Sequence, residues 1–267
     1  MKEKKPFYKK WWVWVLAIFI LAIGANLGSE EDQRPAPKQE EEAVATEQTE
    51  SDSKPPTEVE EQESNVPKEH AAALKKAESY AKRSNMSKEA IRHQLTSEYG
   101  EGFSEEAAIY AIEQIDYDWK ENALKKAESY SKTSHMSKQG IYNQLISEHG
   151  EKFTEEEAQY AIEHLEADYN QNALKKAESY SKTSHMSKQG IYKQLISEYG
   201  EKFTEEEAQY AIKHLEVDYN RNALEKAKSY QKTSGMSPEE IYHQLTSEYG
   251  ETFTDEEARY AIEHLNE

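Results

Sequence analysis

The chain has 267 residues, a formal charge of −19 and no cysteine. The missing thiol excludes a disulfide framework, thiolate zinc sites, a cysteine nucleophile and a lipid-modified cysteine within this sequence. The acidity argues against nucleic acid as a partner, because like charge repels a phosphate backbone.

The charge is unevenly placed: +4 over residues 1–28, −10 over residues 29–71 and −13 over residues 72–267. From Trp11 to Leu27 there is no charged side chain, and Lys4, Lys5, Lys9 and Lys10 lie on the amino side. This stretch, within residues 1–28, reads as a transmembrane anchor of minimal length. Trp11, Trp12 and Trp14 sit where an interfacial aromatic belt belongs, and the lysines hold the amino end in the cytoplasm. A cleaved signal peptide is the competing reading, with Val13–Ile23 as its apolar region. Either way, the remainder of the chain is expected outside the cytoplasm.

Residues 29–71 hold five prolines, no aromatic residue and mostly Glu, Gln, Ser and Thr. Such a segment buries too little apolar area to offset its ordering entropy and is expected to be a disordered acidic stalk. As a flexible coil it would average roughly 35 Å end to end.

The rest is repetition. Asn122–Gln171 and Asn172–Arg221 differ at five of 50 positions, and looser copies flank them, so Leu74, Leu124, Leu174 and Leu224 fall on one ruler. A fixed period of this length marks tandem modules. The expected divisions are 72–121, 122–171, 172–221 and 222–267.

Each copy reads as three short helices, without any strand signal. In the second copy the first helix carries Leu124, Ala127 and Tyr130 at helical spacing. Ser137 caps the second helix, Met136 and Ile141 form a hydrophobic staple, and Gly150 is expected to terminate it. Ile141, Leu145 and His149 mark its inward face. In the fourth copy Ser237, Pro238 and Glu240 spell a full capping box with proline at the first turn. Thr154 and Glu157 do the same for the third helix, whose inward stripe is Ala158, Ala161, Ile162, Leu165 and Tyr169. No Gly or Pro separates this helix from the next copy, so the backbone is expected to stay helical from Glu155 to about Lys182, roughly 42 Å. The apolar stripes of its two halves point about 100° apart, which predicts separate cores on shared or kinked helices. The fold class is therefore all-α: four tandem three-helix, helix-turn-helix-like repeats after an anchor and a stalk.

Acids recur at the start of every third helix: Glu105 and Glu106, Glu155 and Glu156, Glu205 and Glu206, Asp255 and Glu256. Acids in a first turn favour the positive end of the helix dipole, which accounts for their presence. Neighbouring solvent-facing carboxylates offer no raised-pKa partner for acid–base chemistry, so no catalytic residue is expected and the protein is read as no enzyme. As a repeated negative patch the eight residues are the candidate partner-binding sites. The histidines lack metal-ligand spacing, so no metal or cofactor is expected. Tyr130, Tyr142 and Tyr160 are expected chiefly to pack small cores. Helix 3 opens on acids, where a DNA-reading helix would present Arg, Lys, Asn or Gln.

The module ALKKAESYSKTSHMSKQGIYNQLISEHGEKFTEEEAQYAIEHL, with its counterparts over residues 72–267, resembles the repeat of the Ltp family of host-cell-surface-exposed lipoproteins of Gram-positive bacteria and their phages. The resemblance implies superinfection exclusion: an extracytoplasmic protein that engages the tape measure protein of an incoming phage and stops DNA injection. The chain departs from the family in lacking a lipidated cysteine, which leaves residues 11–27 as the membrane attachment. A general cell-envelope adhesion or scaffold protein is the alternative reading. A membrane-bound DNA-binding regulator is a third, and requires inverted topology. Oligomeric state is left open.

Overall fold

The computed structural model describes residues 66–266. The expected anchor at 11–27, with Trp11, Trp12 and Trp14, and the expected stalk as far as residue 65 lie outside the described residues. Among the described residues there are twelve α-helices and no strand, three helices to a module. The first module holds α1 (Lys68–Ser84), α2 (Lys88–Thr96) and α3 (Glu105–Gln114). The second holds α4 (Trp119–Ser134), α5 (Lys138–Ile146) and α6 (Glu155–His164). The third holds α7 (Tyr169–Ser184), α8 (Lys188–Ile196) and α9 (Glu205–His214). The fourth holds α10 (Tyr219–Ser234), α11 (Pro238–Thr246) and α12 (Asp255–Glu263).

Each module closes its own small core. In the second, Ala123 and Ala127 of α4 meet Ala158 and Ala161 of α6, and Ile141, Leu145 and Phe153 fill the remaining space. Alanines let the first and third helices approach closely, and in each module that pair shares the largest contact. Ser87, Ser137 and Ser187 cap the second helices, and Thr154, Thr204 and Thr254 form capping boxes with Glu157, Glu207 and Glu257. The expected box of Ser237 and Glu240 with Pro238 at the first turn is present. In the first module Glu69 substitutes for the box: its carboxylate accepts from the Ser104 backbone N–H at 2.8 Å, which lowers its pKa.

Four expectations need correction. Residues 68–71, expected to belong to a disordered stalk, are helical, because α1 begins at Lys68, directly after Pro67. The third helix does not run on into the next module. It ends at His164, Leu165 is extended, and Asp168 caps a new helix by accepting from the Gln171 N–H at 3.1 Å. Asp118 and Asp218 do the same at the other connections. A local cap at the point where the two stripes fall out of phase costs less than bending one helix to serve two cores. His149 is exposed, because α5 ends at Ile146 and leaves it on a turn. Gly150 does not supply a left-handed cap; the left-handed residue is Lys152, with φ 57°. Gly150 is required for close approach, since a Cβ there would lie 2.5 Å from the Gln144 carbonyl oxygen.

The modules are joined by a junction that the sequence did not announce. Asn172 is 7% exposed, and its Nδ2 donates to Ser131 Oγ and to the Met136 carbonyl, both at 3.0 Å. Asn122 reaches the Ala81 and Met86 carbonyls, and Asn222 reaches Ser181 Oγ and the Met186 carbonyl. In the other direction Ser137 Oγ donates to the Glu201 carbonyl at 2.5 Å, and Ser87 and Ser187 donate to those of Glu151 and Glu251. Glu201 is held twice, because its carboxylate also receives the Tyr180 hydroxyl and the Lys176 ammonium of its own module. The same clamp recurs at Tyr80, Tyr130 and Tyr230. Burial, with the bond to Glu251, pushes the Tyr230 phenol up to about 12, and burial likewise raises Tyr130 and Tyr180. Finally, Trp119, Tyr169 and Tyr219, each the first residue of a module's leading helix, pack against the core of the preceding module.

Candidate partner-binding face

Every third helix starts at the same place on its module, after a cap that fixes the direction of its first turn. Glu105, Glu106, Glu155, Glu156, Glu205, Glu206, Asp255 and Glu256 are all exposed there. The third acid of each run differs: Glu157, Glu207 and Glu257 are turned back into the capping boxes and half-buried. The pairs belong to separate modules and do not form one cluster.

Their surroundings are unequal. Glu105 is held by Arg92, which also pairs with Glu89 at 2.8 Å. Glu156 pairs with Lys120 at 2.7 Å, which lowers the carboxyl's pKa and raises that of the lysine. Asp255 accepts from the Tyr242 hydroxyl at 2.9 Å. In the third module Asn170 stands where Lys120 stands in the second, and Glu205 and Glu206 have no ion-pair or hydrogen-bond partner among the described residues. Glu205 and Glu206 are thus the pair held by neither an ion pair nor a hydrogen bond, and Asp255 and Glu256 likewise have no ion-pair partner among the described residues.

A second feature shares this helix face. Glu156, Tyr160 and His164 follow at four-residue steps, which places them on one side of α6. The Tyr160 and His164 rings stack at 3.9 Å, and His164 Nδ1 donates to the Tyr160 carbonyl at 2.8 Å. Tyr210 with His214 and Tyr260 with His264 repeat the arrangement at 4.1 Å and 4.0 Å. Tyr160 and Tyr210 are thus half-buried surface rings rather than members of the core clusters. The i,i+4 spacing of Tyr and His was the signal available in the sequence. A shallow groove lined by Tyr117, Trp119, Lys120, Thr154 and Glu156 lies beside the acidic start of α6. The face combines carboxylates with aromatic rings, a surface suited to a cationic or amphipathic segment. Among the described residues no group of three or more His, Asp or Glu is arranged to hold a metal ion. No described helix is long and apolar enough to cross a membrane.

The family model described as host cell surface-exposed lipoprotein, of the Ltp type, matches residues 68–115, 118–165, 168–215 and 218–265. The chain belongs to this family. Three of the four matches begin at Asp118, Asp168 and Asp218, the residues that cap the leading helices. Among solved structures, Ltp, a superinfection exclusion protein from the Streptococcus thermophilus temperate phage TP-J34, is similar at 44% identity. That alignment covers 38% of this chain and 99% of the phage protein, with a TM-score of 0.35. No curated protein shows significant similarity to the chain.

Proposed function

We propose that the chain is a membrane-tethered, extracytoplasmic array of Ltp-family modules that binds a macromolecular partner through the acidic starts of its third helices. The observation that carries this reading is the recurrence, in four modules of a surface-exposed family, of exposed acids on a rigidly capped turn. The attachment is the apolar segment from Trp11 to Leu27, with Trp11, Trp12 and Trp14 at the membrane interface. The Streptococcus phage protein is described as a superinfection exclusion protein, and the proposal brings that role to this chain, with the phage tape measure protein as partner. Four copies raise the effective concentration of binding sites without any new contact, so modest affinity per module suffices. Glu205 and Glu206, which are held by neither an ion pair nor a hydrogen bond among the described residues, make the largest contribution.

The test is phage challenge of cells with and without the full chain, reading adsorption and DNA injection separately. Adsorption is expected to persist while injection fails. A variant in which the eight acids become Gln or Asn keeps its capping boxes, and so its helices, but loses the block. Undiminished exclusion by that variant would remove the acidic face from the mechanism. Unimpeded injection in cells bearing the wild type would replace exclusion with the envelope adhesion or scaffold reading. Protease shaving of intact cells checks the topology, because repeats protected from cleavage would overturn an outward-facing array.

A further inference from the structure

The second and third modules are nearly identical, which makes the departures in the fourth informative. In each of the first three modules, the end of the leading helix and the start of the second form the face that meets the next module. Ser131 and Ser181 are buried there and accept from Asn172 and Asn222. Ser87, Ser137 and Ser187 give their cap hydroxyls to the neighbour's carbonyl. Gly140 and Gly190 stand beneath that same carbonyl: a Cβ would lie 3.6 Å from the Glu201 or Glu251 oxygen. The same Cβ would lie 3.0 or 3.1 Å from the module's own cap hydroxyl, and the first module carries only a methyl group at this place, at Ala90.

The fourth module changes this face. Gln231 replaces the buried serine, and Pro238, Glu239 and Glu240 replace Lys188, Gln189 and Gly190. Glu240 Oε2 accepts from both the Ser237 N–H and the Ser237 hydroxyl at 2.8 Å. The cap hydroxyl that the other modules offer outward is therefore turned inward. Gln231 and Pro238–Glu240 are all exposed. At the opposite end, Ala72 stands where Asn122, Asn172 and Asn222 make the junction, and it offers no donor.

We infer that the fourth module is closed to a further module of this kind, and that Gln231 and Glu240 are the closing residues. The closure lies in the side chains and holds whatever chain follows residue 267. A head-to-tail junction propagates where both of its faces are open, and here Gln231 and Glu240 close one face while Ala72 leaves the other without its amide donor.

The test transplants the closing pair into an interior face: S181Q/G190E in the full chain, read by hydrogen exchange resolved to individual modules. The fourth module is itself the control that Gln and Glu are compatible with the module's own fold. Protection of α10–α12 is expected to fall about tenfold or more as the third and fourth modules uncouple, while α1–α3 are unaffected. G190A, which copies Ala90, should leave protection within about twofold. Unchanged protection of α10–α12 in S181Q/G190E would show that these residues do not close the face, and the inference would fall. A matching loss in G190A would also overturn it, by making the site intolerant of any side chain.

Discussion

Asn172→Ala is the sharpest perturbation of the junction. The Asn172 amide is buried and donates two bonds of 3.0 Å, to Ser131 Oγ and to the Met136 carbonyl. Each such bond is worth about 1 kcal/mol net, and a buried acceptor left without a donor costs about 1–3 kcal/mol. The Ser131 hydroxyl can rotate to a new partner, so the full penalty falls on the Met136 carbonyl alone. The expected loss is about 2–3 kcal/mol of coupling between the second and third modules. A repeat array need not unfold in one step, so the assay is hydrogen exchange resolved by module, with urea unfolding as the second readout. Asn172→Asp should be worse at neutral pH, because a carboxylate then faces a carbonyl, and should partly recover in acid as the group regains a proton to donate. Ala72→Asn, at the unpaired equivalent position, should change stability by less than about 0.5 kcal/mol. A loss below about 0.5 kcal/mol for Asn172→Ala would refute the junction as a stabilising contact.

Other outcomes follow from single observations. The Tyr169 and Tyr219 hydroxyls are buried without a partner among the described residues, and burial raises both pKa values. Tyr169→Phe should therefore stabilise by up to about 1 kcal/mol, and a loss in thermal unfolding would contradict it. Lys202 holds φ 59° where the first module has Gly102 at φ 67°. Lys202→Gly should gain about 0.5–1 kcal/mol in urea unfolding by removing left-handed strain. The raised Tyr230 phenol holds its proton to about pH 12 when folded, against about 10 when unfolded. Its contribution is complete below about pH 10 and is lost as pH rises through the folded value, because the unfolded chain then binds fewer protons. Tyr230→Phe should flatten the fall in the fourth module's stability over that window; an unchanged slope would mean the clamp does not govern it.

The features legible in the sequence are those whose cause lies within a few residues. The 50-residue period set the modules, and the Ala158, Ala161 and Ile162 spacing set a buried face. Ser137, Thr154 with Glu157, and Ser237 with Pro238 and Glu240 set where helices begin, because a cap is a contact across three residues. The exposure of the eight acids follows from the same local geometry. The capping role of Asp168 was legible in principle, since aspartate is a favoured cap and the stripes change phase beside it.

The contacts between modules are set by packing over long sequence separations and are visible only in the folded chain. Asn172 reads as an ordinary polar residue until its amide is seen between Ser131 and the Met136 carbonyl, 41 and 36 positions away. Ser137 reads as a cap alone until its hydroxyl is seen to reach the Glu201 carbonyl, 64 positions away. A backbone carbonyl is the same group in every residue, so no side-chain pattern marks which one will be the acceptor. The same holds for Gly150, kept by its distance to the Gln144 carbonyl rather than by its φ, and for Tyr169, which packs on the preceding module's core. It also holds for charge: position alone ranks the acidic pairs as equals, and only the structure shows Arg92 reaching Glu105 and Lys120 reaching Glu156 while Glu205 and Glu206 have no such partner among the described residues.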